Sequence, residues 1–96
     1  MKTVTVEAIR ALIIPAAGEF SVSRIVLFGS RADGSNREDS DVDLIVEFSH
    51  PVSLLTLAAF QCRLEELLGL DVDVIHGPLR DGDLIEVGKV VELYAA

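Results

Sequence analysis

Two carboxylates two residues apart, Asp41 and Asp43, follow a Gly29-Ser30 pair after ten intervening residues. On a strand, residues at this spacing point to the same face and lie roughly 7 Å apart at their Cα atoms. The pair can therefore converge on one or two Mg²⁺ ions, hard cations that take oxygen ligands and bridge carboxylates to phosphates. Gly29 has no side chain, so the backbone there can approach a bulky anion closely. Ser30 adds a hydroxyl and an amide at the start of a predicted helical turn, where unbonded N–H groups attract phosphate. Asp71 and Asp73 share a face of a later strand, and a carboxylate from it could complete a two-metal site. Such a site suits in-line phosphoryl chemistry, which depends on positioning and charge neutralisation.

Other polar residues are weaker candidates. Arg31 and Arg37 could clamp phosphates; Arg31 fits a structural ion pair equally well, and Arg37 reads as exposed. Asp33, Glu38 and Asp39 read as loop solvation, and His50 and His76 as ordinary residues beside turns, with no nucleophile near them in sequence.

Short alternating elements must position these groups. Residues 5–19 have helical spacing in Val6, Ile9, Leu12 and Ile13, with Pro15 expected to kink or restart the helix and Gly18 to end it. The apolar run 25–28 predicts a strand buried on both faces, and 29–40 a polar loop with a helical turn at Ser30. In 41–48, Val42, Leu44, Val46 and Phe48 fall on one strand face and Asp41, Asp43, Ile45 and Glu47 on the other. Acids at consecutive positions of one face are poor strand formers, which favours a specific need for them. After Pro51, Ser53 is the expected N-cap of a helix over 54–68, with Leu54, Leu57, Ala58, Leu64, Leu67 and Leu68 on its apolar side and Gly69 at C′. A third strand is predicted over 71–76, a turn at Gly77-Pro78, and a last helix over 82–93 weakened by Gly88. The expected class is α/β: a small mixed sheet of about three strands packed by about four helices, in one domain spanning 1–96. Three strands are too few for a doubly wound dinucleotide-binding domain.

Composition narrows the partners. The chain has 96 residues, half of them hydrophobic but with four Phe, one Tyr and no Trp, so the core must be mainly aliphatic. The formal charge of −8 argues against a surface that binds nucleic acid. A small chain this apolar is a candidate for having one surface covered, by a partner or by another copy of itself. Cys62, among Phe60, Leu64 and Leu67, reads as a small buried hydrophobe. The N-terminus lacks a signal-peptide pattern, and no apolar run reaches the roughly 20 residues that span a bilayer. No membrane association and a cytoplasmic location are the expectation.

Leu27-Phe28-Gly29-Ser30-Arg31 followed by 40–46, Ser-Asp-Val-Asp-Leu-Ile-Val, resembles the signature of the polymerase-β nucleotidyltransferase superfamily. The short length, Leu-Glu-Glu-Leu-Leu-Gly at 64–69 and Val72-Asp73-Val74-Ile75 resemble its minimal branch, the MNT proteins. The resemblance implies that Asp41, Asp43 and Asp73 form a metal-binding catalytic triad with Mg²⁺, Asp71 being the alternative third acid at the strand's edge. It implies that Gly29 and Ser30, with Arg31 beside them, hold the triphosphate, and that ATP is the commonest donor. MNT proteins often pair with a HEPT-domain toxin as its antitoxin, in some cases by transferring AMP to a toxin tyrosine. The HEPT motif, an Arg with a His-x-Tyr, is absent from the sequence, so the chain resembles the antitoxin side. Two alternatives remain: a binding antitoxin that works by occlusion, and transfer to a small molecule. The length counts against the latter, because larger relatives use a second domain to hold such an acceptor.

Overall fold

The Thr5 hydroxyl accepts a hydrogen bond from the Ala8 amide at 3.1 Å and starts helix α1, Val6–Glu19. The computed structural model describes residues 5–37, 39–77 and 89–96. α1 runs uninterrupted through Pro15, with no restart there. Pro15 and Ala11, the residue whose carbonyl it leaves without an N–H partner, are both exposed, so water can satisfy that carbonyl. Ser21, at φ 55°, makes the turn into strand β1, Val22–Phe28, which starts three residues before the predicted run.

Gly29 then leads into a single helical turn, α2, Ser30–Asp33. Strand β2, Val42–Phe48, begins one residue after Asp41. Ser53 caps helix α3, Leu54–Leu68, by accepting from the Thr56 amide at 3.1 Å. Gly69, at φ 68°, closes the helix in the left-handed conformation, its N–H donating to the Glu65 carbonyl at 2.9 Å. Strands β3, Val72–His76, and β4, Val91–Ala95, complete the described elements.

The sheet order is β3-β2-β1-β4. β1 pairs antiparallel with β2 and with β4, whereas β2 and β3 run parallel, joined through α3. Helices α1 and α3 supply Ile9, Ile13, Ala16, Ala17, Phe60, Leu64 and Leu68 to one core with Ile25, Leu27, Val42, Leu44, Val46, Val72 and Leu93 of the strands. Phe60 anchors α3 in that core, edge-on to Phe20 and Phe48 at centroid distances of 5.1 and 5.9 Å. Fully burying a side chain of this kind is worth about 1.5–3 kcal/mol. Val42, Leu44 and Val46 all face the helices, which turns Asp43 to the opposite face, as the alternation along β2 requires.

Three expectations are corrected. Residues 91–93 are strand, not the end of a helix, so the sheet has four strands rather than three. Val-Glu-Leu-Tyr-Ala alternates well enough to bury Leu93 while pairing with the free edge of β1, and Arg10 of α1 donates to the Glu92 and Leu93 carbonyls at 3.2 and 3.3 Å. The rest of the predicted last helix, 82–88 with Gly88, lies outside the described residues. Cys62 is exposed, because Phe60, Leu64 and Leu68 at i, i+4 and i+8 define the buried stripe of α3 and Cys62 lies about 200° around from Phe60. Leu54, predicted on the apolar side, is 85% exposed with Leu55 at 81%; the buried residues of α3 begin at Phe60. Among the described residues no helix is long and apolar enough to cross a membrane.

Candidate active site

The site is built where β1 ends. Gly29 follows the last residue of β1 with φ 75° and ψ −155°, a conformation essentially restricted to glycine. A Cβ at this position would run into the Asp43 carboxylate. Glycine is therefore required twice over, for the backbone path and for the space. The turn is closed by the Gly29 carbonyl, which accepts from the amides of Ala32 at 3.0 Å and Asp33 at 3.2 Å, so that Ser30 opens α2 immediately beside Asp43's strand.

Strand register brings the acids together. Asp43 is the cross-strand partner of Phe28 on β1 and of Asp73 on β3. Asp41, two residues earlier, is exposed, as is Asp73, while Asp43 is half-buried. Burial pushes the Asp43 carboxyl above the ordinary carboxylate range, and the charges of Asp73 and then Asp41, with a hydrogen bond to Asp73, push it further. Three hard oxygen donors thus crowd one another at one end of the sheet. A divalent cation would reverse the sign of that interaction, so the donor set fits Mg²⁺. Among the described residues no three acidic, His or Cys side chains are closed to metal-ligand distances.

Asp71 is placed differently. It lies outside β3, its carbonyl accepts from the Val42 amide at 2.9 Å, and it lines an open cleft of about 380 Å³ with Asp39, Glu65, Gly69 and Leu70. Its charge is not among those acting on Asp43. Glu65, to which the sequence alone assigns no role, accepts from the Val72 amide at 3.1 Å through its carboxylate and holds the start of β3 to α3.

Arg31 is 4% exposed and reaches the backbone of Arg37 and Ser40. Its Nε and one terminal nitrogen donate to the Ser40 carbonyl at 3.0 and 2.9 Å, and the latter also reaches the Arg37 carbonyl at 3.4 Å. Arg37 is exposed. Asp33 accepts from the amide and hydroxyl of Ser35, which lowers its carboxyl below the usual range. His50 is exposed beside the Pro51 carbonyl, and exposed His76 lies edge-on to Phe48 at 5.6 Å. Glu38 lies outside the described residues.

Known proteins share this architecture. The family described as "Nucleotidyltransferase domain" matches residues 13–92. A protein of Methanocaldococcus jannaschii, named as a candidate protein adenylyltransferase, is 40% identical over 91 residues, covering 90% of this chain and 98% of its own. A chain in a toxin–antitoxin structure with AMP-PNP superposes with a TM-score of 0.75 at 21% identity, over 91% of this chain and 73% of that one. Another, in the complex of a tri-AMPylated Shewanella oneidensis HEPN toxin with MNT antitoxin, gives a TM-score of 0.71 at 18% identity, over 96% of this chain and 74% of that one. At such identities the two solved structures speak for the fold alone. The family match and the near full-length relative go further: this chain is an enzyme that belongs to the nucleotidyltransferase-domain family.

Proposed function

We propose that the chain transfers AMP from ATP to a hydroxyl of a partner protein, a HEPT-type toxin that it thereby neutralises. The observation that supports this most is the register that sets Asp43 beside Asp73 on the end of the sheet where Gly29 turns. The 40% identical relative named for protein adenylylation, and the AMPylated toxin found with a chain of the same fold, support the donor and the class of acceptor.

In this reading Asp41, Asp43 and Asp73 would hold two Mg²⁺ ions, which would supply charge neutralisation for the triphosphate and the incoming oxygen. The turn at Gly29 and Ser30 lets the triphosphate approach the backbone closely. Asp73 orients the acceptor hydroxyl and takes its proton. The hydroxyl oxygen bonds to the α-phosphorus as the bond to the β-phosphate's bridging oxygen breaks, and pyrophosphate leaves. β3 is an edge strand, so Asp73 is open to an acceptor delivered by a separate protein.

The test is the fate of the phosphates. With the candidate toxin present, label in the α-phosphate of ATP is expected on the partner, with pyrophosphate released. Transfer of γ-label alone would make the enzyme kinase-like and overturn the proposal.

A further inference from the structure

Of the three carboxylates, Asp41 is the one that the sheet does not hold. Asp43 sits inside β2, paired on both sides, and Asp73 lies inside β3. Asp41 precedes β2 and is exposed. Its position is set by its two neighbours in the chain. Downstream, the Val42 amide donates to the Asp71 carbonyl at 2.9 Å. Upstream, the Ser40 carbonyl is gripped by two nitrogens of Arg31, at 3.0 and 2.9 Å.

The Arg31 grip extends to the turn behind Ser40. The Ser40 amide donates to the Arg37 carbonyl at 3.1 Å, the Arg37 amide donates to the Ser40 hydroxyl at 2.8 Å, and Arg31 also reaches the Arg37 carbonyl at 3.4 Å. Arg31 itself is buried on α2, the turn that Ser30 opens. A guanidinium suits this role better than an ammonium, because its planar fork fixes direction as well as distance.

We infer that Arg31 is a positioning residue: it fixes the Ser40 carbonyl and so holds the Asp41 carboxylate in place for the metal, rather than binding the triphosphate. It also ties the turn bearing Ser30 to a metal ligand, so that the nucleotide end and the metal end of the site move as one piece. The inference rests on the reading of Asp41 as a metal ligand given above.

The experiment measures two affinities on the full chain: Mn²⁺ alone, by electron paramagnetic resonance, and AMP-PNP at saturating Mn²⁺, by calorimetry. Arg31→Gln removes the fork and Arg31→Lys keeps the charge; Arg31→Lys also covers the case in which Arg31→Gln does not fold. Both are expected to weaken Mn²⁺ binding by about 10-fold or more, the usual cost of losing a group that orients a ligand, with AMP-PNP affinity at saturating Mn²⁺ near the parent's. Ile13→Val, which trims the core away from the site, controls for lost stability and is expected to bind Mn²⁺ as the parent does. Asp41→Asn tests the underlying reading: unchanged Mn²⁺ binding there removes Asp41 from the metal site and the inference with it. If Asp41→Asn loses Mn²⁺ but the Arg31 variants keep it, the reading of the site stands and the role given to Arg31 is wrong. Loss of AMP-PNP affinity with Mn²⁺ binding intact makes Arg31 a phosphate clamp and also overturns the inference, as does an equal loss of Mn²⁺ in Ile13→Val.

Discussion

The Asp43 carboxylate occupies the space that a side chain at Gly29 would need. The end of one strand and the start of its neighbour are thereby locked into a single geometry, in which the turn of the chain and the position of an acid depend on each other.

Gly29→Ala should therefore fail twice. It forces a β-carbon into φ 75° and displaces Asp43. We expect a stability loss of at least about 1 kcal/mol and loss of nucleotidyl transfer. Thermal melts and α-label transfer check both. An active, undisturbed Gly29→Ala protein would mean that Asp43 is free to move away without consequence.

Asp43 also gives the metal-free protein a pH dependence of known sign. Its folded carboxyl is held above the ordinary range by burial and by the charges of Asp73 and Asp41. The folded state then binds its proton more tightly than the unfolded chain does. The associated stability is present in full below the ordinary carboxylate range and is lost as pH rises through the raised Asp43 value. Without divalent metal, Asp43→Asn should flatten that part of the stability curve. Asp73→Asn should raise the melting temperature near neutral pH by about 2–5 °C, the scale of a partly screened charge repulsion in a domain this small. It should also abolish transfer, and Mg²⁺ with ATP should stabilise it much less than the parent. If Asp73→Asn lowers metal-free stability and responds normally to Mg²⁺-ATP, the third acid has to be sought at Asp71.

Chemistry and binding can be separated at Asp41. Asp41→Ala removes an exposed carboxylate outside the strand, so the fold should be unaffected within about 0.5 kcal/mol. Labelling of the proposed toxin partner should cease while co-purification with it persists. If the variant still protects cells fully, occlusion is the function and transfer is secondary.

The fourth strand is open to a direct check. Leu93 is 3% exposed in the core, so Leu93→Ala should cost about 2–5 kcal/mol by chemical denaturation. Glu92→Ala, whose side chain is half-exposed and pairs with Arg24 at 3.0 Å, should cost less than about 1 kcal/mol. Equal, small losses at both positions would argue that β4 does not pack as described.

Short-range patterns in the sequence were enough to locate the elements around the site. Ser53 and Gly69 bound α3 because capping is a local matter of one side chain or one positive φ. The alternation Val42, Asp43, Leu44 assigns the two faces of β2 because the period of a strand is fixed by its backbone. The Gly29-Ser30 to Asp41-x-Asp43 spacing is likewise a property of the chain itself. What neighbours a strand is not. The pairing of Asp43 with Asp73 rather than Asp71 follows from the parallel register of β2 and β3, and a shift of one residue would have turned Asp73 to the helices. Residues 91–95 alternate well enough for a strand, but the open edge of β1 that they fill is supplied only by the assembled sheet. Cys62 is exposed because the seam of α3 is drawn by Phe60, and only the packed core fixes which residues of its broad apolar side turn inward. Arg31 suits a phosphate clamp and a structural ion pair equally well in the sequence; the fold brings the Ser40 carbonyl to it, and a buried guanidinium takes the partners that desolvation makes it need.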